Sequence, residues 1–364
     1  MQIIPQYEPD YGEEEKKAVI NYLDSGAWLT EFKQTRTFEE MIKQLTGSAY
    51  CWIMMNGTVS LTAALYALGF NKPEDEIIVP NFTMVASPNS VLLAGAKPVL
   101  VDIDETTLCI TPETIEPYLT ARTKAVMHVS LNGRSGNMQD MVDFCEKKGL
   151  ILIEDAAQAF GSFWEGKHLG TFGTIGSFSF SMPKIITTGQ GGALISDDAV
   201  LMDKVKKIRD FGRSRGGIDE YEMIGFNFKF SDLQAVIGIE QMKKMPIRIK
   251  RKREIFKRYQ ENLANVSSVQ WIETNLSDTT PWFIDILVPD RKELADFLKE
   301  EGIETRFFYP ALHTQAPYNE QYFENQRFLI SSKIAARGLW LPSSLKLSFE
   351  KIDQICEAIR KFYL

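Results

Sequence analysis

Along this chain, short runs of β-branched and other apolar residues alternate with longer stretches in which apolar positions recur at helical spacing. The runs are YCWIMM from 50, DEIIVP from 75, PVLVDID from 98, KAVMHVSL from 124, LILIED from 150, SFSF from 177 and GALISD from 192. Between them lie SLTAALYALG (60–69), whose Leu61, Leu65 and Leu68 share one helical face, and DMVDFCEKKG (140–149), closed by a glycine. Strands alternating with helices build mostly parallel sheets covered on both faces, so the pattern predicts the α/β class, with one α/β domain over 50–240.

After Pro246 the texture changes. A long basic helix, IRIKRKREIFKRYQENL, leads to the strand-like VQWIE and WFIDILV, then to DRKELADFLKEEG and a last helix ending at Leu364. The expected division is a large domain with an N-terminal arm over 1–245 and a smaller α+β domain over 246–364. No internal repeat or low-complexity tract interrupts either part.

Composition narrows the function. A chain of 364 residues, 44% hydrophobic, is long enough for two cores. Its net charge of −7 gives no general attraction for nucleic acid or anionic lipid, so neither is an expected partner. The start, MQIIPQYEPDYGEEE, lacks the basic end and apolar core of a secretory signal, and no apolar run reaches the roughly 18 residues of a membrane span. A cytoplasmic protein is the expectation. Four cysteines (Cys51, Cys109, Cys145, Cys356) and three histidines (His128, His168, His313) are scattered without metal-ligand spacing, so no metal is expected and the thiols read as idle in a reducing compartment.

Three glycine-containing turns are candidates for holding a phosphate. GSFWEGK (161–167) has P-loop spacing, but His168 stands where a magnesium-binding hydroxyl is needed, and the stretch reads as a hairpin. GQGGAL (189–194) has Leu194 in place of the third glycine of a dinucleotide fingerprint. In MMNGTVSLTAALYAL, Asn56, Gly57 and Thr58 stand between a short strand and a helix, where free N–H groups and the positive end of the helix dipole meet an anion. Taken alone, such a stretch is more often just a helix cap.

Two further residues decide between those readings. Asp155 ends an apolar strand, where open parallel sheets place ligands, and beside Ala156 and Ala157 it needs either a capping role or a cationic partner. Lys184 lies among Met182, Pro183, Ile185 and Ile186, and an apolar setting lowers a lysine's pKa and frees the amine that attacks carbonyls. An anion-binding helix start, a strand-end aspartate and a loop lysine are together the three contacts that pyridoxal 5′-phosphate requires, for its phosphate, ring nitrogen and aldehyde carbon.

The segments NGTVSLTAAL, EIIVPNFTMVASPNSVLLAGAKPVLVDID, LILIEDAAQA, GSFSF, KIITTGQGGALISDD, IGFNFKFSDLQAVIGIEQM and RFFYPALHTQAPY closely resemble the DegT/DnrJ/EryC1/StrS sugar aminotransferases, over residues 5–360, and among them the nucleotide-sugar 4-aminotransferases. The resemblance implies the aspartate-aminotransferase fold (fold type I) and a homodimer with shared active sites. It implies Lys184 as the residue bonded to the cofactor, Asp155 on the ring nitrogen, Gln158 at the ring hydroxyl, and Gly57, Thr58 and Ser179 on the phosphate, with Asn227 reaching it from the neighbouring subunit. Trp28 and His313 are implied near the sugar. Met84 stands where the family commonly stacks an aromatic ring on the cofactor, Gln190 where it has glutamate, and Ser130 and Asn132 where histidine and tyrosine often form a wall of the sugar pocket.

The implied reaction has two halves. L-glutamate leaves its amino group as pyridoxamine 5′-phosphate, and a nucleotide-linked 4-keto-6-deoxy sugar then takes it at C4. Amination at C3 or of another keto sugar, and a non-catalytic sensor of the same fold, are the alternatives. The basic run Arg248, Lys250, Arg251, Lys252, Arg253, Lys257 and Arg258 reads as a solvated helix face rather than a nucleic-acid surface.

Overall fold

The computed structural model describes residues 3–318 and 328–363. The seven apolar runs form strands within three residues of the predicted limits: β1 Tyr50–Met54, β2 Glu76–Pro80, β3 Lys97–Val101, β4 Thr123–Val129, β5 Ile151–Asp155, β8 Ile175–Ser179 and β9 Gly192–Ser196, with a short hairpin of β6 Phe163–Trp164 and β7 Lys167–His168 between β5 and β8. The seven long strands make one sheet in the order β1-β9-β8-β5-β4-β2-β3. Only β9 runs against its neighbours; β8, β5, β4, β2 and β3 are parallel in sequence across the sheet.

Side chains alternate between faces along each strand, and the alternation divides the core into two. Ile53, Ile78, Val126 and Leu152 pack in one layer with Met138, Met141 and Cys145 of the helix Met138–Lys148. Ile77, Val79, Ala125, Met127 and Ile153 pack in the other with Leu61 and Leu65 of the helix Gly57–Leu68. Strands β2, β8 and β9 are buried throughout, as a sheet covered on both faces requires. Both helices end at a glycine in the left-handed conformation, Gly69 and Gly149, which takes the place of a residue whose Cβ would clash there.

The stretch with P-loop spacing is the β6–β7 hairpin. Glu165 and Gly166 both have positive φ (47° and 79°), the two-residue turn that matches strand twist. His168 is buried and accepts a hydrogen bond from Gly161 N–H at 3.0 Å, so it is part of the fold's interior.

The C-terminal part begins with the helix Met245–Asn262 and carries a four-stranded sheet, β10 Gln270–Trp271, β11 Ile284–Leu287, β12 Arg306–Phe307 and β13 Gly338–Leu341, in the order β10-β11-β13-β12. Helices Arg291–Glu300 and Phe349–Tyr363 flank it; the predicted last residue of the final helix, Leu364, lies outside the described residues. Ile4 bridges to Ile303 and is buried in this core, tying the N-terminal arm to it. Trp282, Phe283, Phe308 and Trp340 join the core on one face of the large sheet, so that sheet and the C-terminal part share one packed layer.

One expectation is overturned. The helix Met245–Asn262 is not a uniformly solvated basic face: Arg248 and Lys252 are 4% and 2% exposed. Four residues apart, they lie on the same inward stripe as Ile255, Phe256 and Tyr259. Arg248 bonds Gln241, the Asp10 carboxylate and the Ile185 carbonyl, and the Lys252 ammonium donates to the carbonyls of Trp282 (2.8 Å) and Ser343 (2.6 Å). Buried backbone carbonyls need donors, and here long cationic side chains supply them. Lys250 and Lys257 remain exposed. Among the described residues no helix is long and apolar enough to cross a membrane.

Candidate active site

A cleft of about 730 Å³ opens above the carboxyl ends of β2, β5 and β8, the edge at which open parallel sheets bind ligands. Gly57, Thr58, Met84, Asp155, Gln158, Ser179 and Lys184 all line it. A cavity of similar size, about 640 Å³, lies elsewhere, between Ile3, Lys299 and Phe307.

The helix Gly57–Leu68 points its N-terminus into the cleft. Asn56 caps it, its Oδ1 accepting from Val59 N–H at 3.0 Å and its carbonyl from Ser60 N–H, which leaves the N–H groups of Gly57 and Thr58 to face the opening. Two glycines make this approach possible. A Cβ at Gly57 would stand 3.2 Å from Ser179 Cβ, and one at Gly192 of β9 would stand 2.4 Å from the Asn56 carbonyl carbon. Ser179 brings its hydroxyl to the same corner, 3.3 Å from that of Ser181.

Asp155, 5% exposed at the end of β5, accepts from the Ser87 hydroxyl at 2.7 Å and from Ala157 N–H at 3.2 Å. Burial pushes its pKa up, against the pull of those two donors. The Lys184 amine acts on it through space and lowers its pKa, without a direct ion pair. Gln158 uses its side-chain oxygen to accept from Asn132 N–H at 2.8 Å, which leaves its amide N–H groups for the cleft. Met84 is 45% exposed in the lining of the cleft, its sulfur 3.0 Å from Ala86 N–H.

The Lys184 amine sits 4.0 Å from the centre of the Trp282 ring. Burial pulls its pKa down to about 7, against the support of the Asp155 carboxylate, and Arg306 pulls the same way as burial. At neutral pH a large share of this amine is therefore unprotonated and nucleophilic, where an exposed lysine would hold almost none.

These residues fit pyridoxal 5′-phosphate. A buried carboxylate without a direct ion-pair partner suits a protonated ring nitrogen, a glycine-lined helix start with a serine suits a phosphate, and a near-neutral amine at the same cleft suits an aldehyde.

Not every predicted site residue is brought here. Trp28 is 72% exposed on a loop, Asn227 is exposed in a bridge to Asp210, and His313 is half-buried against Asn81; none of the three lines the cleft of its own chain. Asn132 is not a pocket wall. It is 2% exposed, at φ 55°, and clamps β11 by bonding Phe283 N–H, Phe283 carbonyl and Asp285. Trp282, Ser87 and Ser181 escaped sequence reasoning. Trp282 reads there only as one residue of a strand, because its contact with the Lys184 loop joins positions 99 residues apart.

The family model for the DegT/DnrJ/EryC1/StrS aminotransferase family matches residues 9–360. The chain is 36% identical over 367 residues to a GDP-perosamine synthase of Escherichia coli O157:H7, covering 100% of this chain and 99% of the relative. It is 34% identical over 367 residues to a GDP-perosamine synthase of Vibrio cholerae, with 99% of each covered. The crystal structure of the aminotransferase TlmJ from Streptoalloteichus hindustanus superposes with a TM-score of 0.92 at 28% identity, over 99% of this chain and 98% of that one.

Proposed function

Because the chain belongs to the DegT/DnrJ/EryC1/StrS aminotransferase family, and is thus a pyridoxal-phosphate-dependent sugar aminotransferase, we propose that it transfers the amino group of L-glutamate to C4 of a nucleotide-linked 4-keto-6-deoxy sugar. The products are 2-oxoglutarate and a 4-amino-4,6-dideoxy sugar nucleotide. The observation that carries this reading is the near-neutral Lys184 amine sharing one cleft with the buried Asp155 carboxylate. The two full-length relatives named GDP-perosamine synthase favour a 4-keto acceptor over amination at C3.

In this reading the N–H groups of Gly57 and Thr58 and the Ser179 hydroxyl hold the phosphate, Asp155 keeps the ring nitrogen protonated, Gln158 donates to the ring hydroxyl and Met84 covers the ring. Bound there, the cofactor supplies an aldehyde, a ring that accepts the electrons left by deprotonation, and a carrier for the amino group between the two halves. Lys184 would hold its aldehyde, and as a free amine it would take the proton from glutamate Cα in the first half and deliver a proton to sugar C4 in the second. Carrying the proton in both directions needs a base near neutrality, which the position of Lys184 provides.

The site is completed by a second copy of the chain, with Asn227 reaching the phosphate from the neighbouring subunit and Trp28 and His313 placed toward the sugar. Exposed apolar side chains support this, because they cluster on the segments concerned: Trp28 (72%), Tyr221 (60%) and Ile224 (83%). The purified protein, incubated with glutamate and a panel of 4-keto-6-deoxy sugar nucleotides beginning with the GDP-linked one, is expected to yield an amino sugar whose nitrogen NMR assigns to C4. A nitrogen at C3, or no product across the panel alongside conversion of glutamate alone, would overturn the assignment.

A further inference from the structure

The loop that carries Lys184 is gripped at three carbonyls by side chains from distant parts of the chain. Tyr7 of the N-terminal arm donates its hydroxyl to the Met182 carbonyl at 2.7 Å, the Trp282 indole N–H donates to the Pro183 carbonyl at 2.6 Å, and Arg248 donates to the Ile185 carbonyl at 2.8 Å. Of the three, only Trp282 also meets the lysine's own amine, 4.0 Å from the ring centre. Trp282 is itself immobilised. It is 5% exposed, stacks on Phe283 with ring centres 3.9 Å apart, packs edge-on against Trp340, and has its carbonyl held by the Lys252 ammonium.

A transaminating lysine spends part of each cycle unbonded, and a flexible four-carbon amine set free in a cleft needs a defined place to return to. An aromatic face stabilises an ammonium over a neutral amine, by more in a desolvated setting than in water. We propose that Trp282 is the positioning residue that docks the Lys184 amine whenever it is not bonded to the cofactor: its ring face holds the protonated form, and its indole N–H fixes the loop from which the lysine reaches. This rests on the reading of Lys184 given above. Trp282 then acts against burial, raising the proton affinity of the Lys184 amine.

The other charged groups around the amine are Asp155 from β5 and Arg306 from β12. Tyr7 and Tyr309, whose phenols burial pushes up, stay protonated through the neutral range. Lys252, pulled by burial to about 7, sits behind Trp282 on its carbonyl.

The test uses the full-length protein stripped of cofactor. It is treated with methyl acetimidate, which reacts only with neutral amines, across a pH series, and labelling at Lys184 is followed by peptide mapping. Trp282→Leu is expected to lower the labelling midpoint by about 0.5–1.5 pH units, the size of a desolvated cation–aromatic contact. Fluorinated tryptophan placed at 282, which drains the ring's negative face without changing its shape, is expected to lower it in steps with the number of fluorines. A structural role alone would not respond to fluorination. A midpoint that stays put with the fluorinated side chain overturns the proposal, and this arm decides alone if melting curves show Trp282→Leu to be unfolded. Borohydride reduction of the cofactor-loaded protein separates the two readings. A label absent from Lys184 removes the parent reading, whereas a label present with an unmoved midpoint removes only the role of Trp282.

Discussion

Replacing Asp155 by asparagine tests the site most sharply, because the structure assigns opposite signs to its two consequences. The carboxylate is buried, is bonded by two neutral donors, feels the Lys184 amine only through space, and on balance burial raises its pKa. A carboxyl whose folded pKa lies above its unfolded value binds protons more readily when folded, so it lowers stability as pH rises from about 4 through the folded value. Asparagine is isosteric, keeps an acceptor for Ala157 N–H and cannot ionise. The cofactor-free Asp155→Asn protein is therefore expected to be at least as stable as the parent at pH 7, and to lack that acid-side decline. In the loaded enzyme the same change leaves a buried pyridinium without its counter-charge. Removing one partner of a buried charge pair costs about 3–5 kcal/mol, or roughly two to four orders of magnitude in the rate of the glutamate half-reaction. Urea melts of the cofactor-free proteins across pH and stopped-flow absorbance of the loaded ones with glutamate give the two numbers. A half-reaction within about threefold of the parent, or a cofactor-free variant destabilised by more than about 1 kcal/mol, would refute the reasoning.

Other expectations follow from the same geometry. Lys184→Ala is expected to abolish turnover while the fold survives, and a normal steady-state rate would remove this lysine from the mechanism. Gly57→Ala brings a Cβ to 3.2 Å from Ser179 Cβ; spectrophotometric titration is expected to show pyridoxal phosphate bound more weakly by about 1–3 kcal/mol, and an unchanged Kd would place the phosphate elsewhere. Asp285→Asn breaks a buried two-pronged ion pair, Arg134 Nη1 and Nη2 to the carboxylate at 2.8 and 2.7 Å, which also anchors Asn132. It is expected to cost about 3–5 kcal/mol in urea unfolding, with little loss read as evidence that the pair is solvated in solution.

Elements whose side-chain period is set by their own burial could be placed from the sequence. Strands β2, β5 and β9 and the helix Met138–Lys148 each carry a regular apolar pattern and a clear stop, so the sequence places them. It does not place strands β12 and β13, because two and four residues carry too short a pattern to distinguish a strand from a loop, and pairing with each other and with β11 holds them extended. The same limit explains the helix at 245. Its seven cationic residues spell a solvated surface, yet Arg248 and Lys252 are drawn inside because backbone carbonyls from remote segments lack other donors.

The sequence by itself determined the α/β class and where seven of the strands fall along the chain, and it marked Gly57, Asp155 and Lys184 as residues in unusual company, since each of those signals is written within a few neighbouring positions. Only the tertiary structure could decide that these three share one cleft, that the aspartate is buried without a direct ion pair, and that Trp282 meets the lysine. Those facts depend on desolvation and on contacts between segments about a hundred residues apart, and neither leaves a periodic trace along the chain.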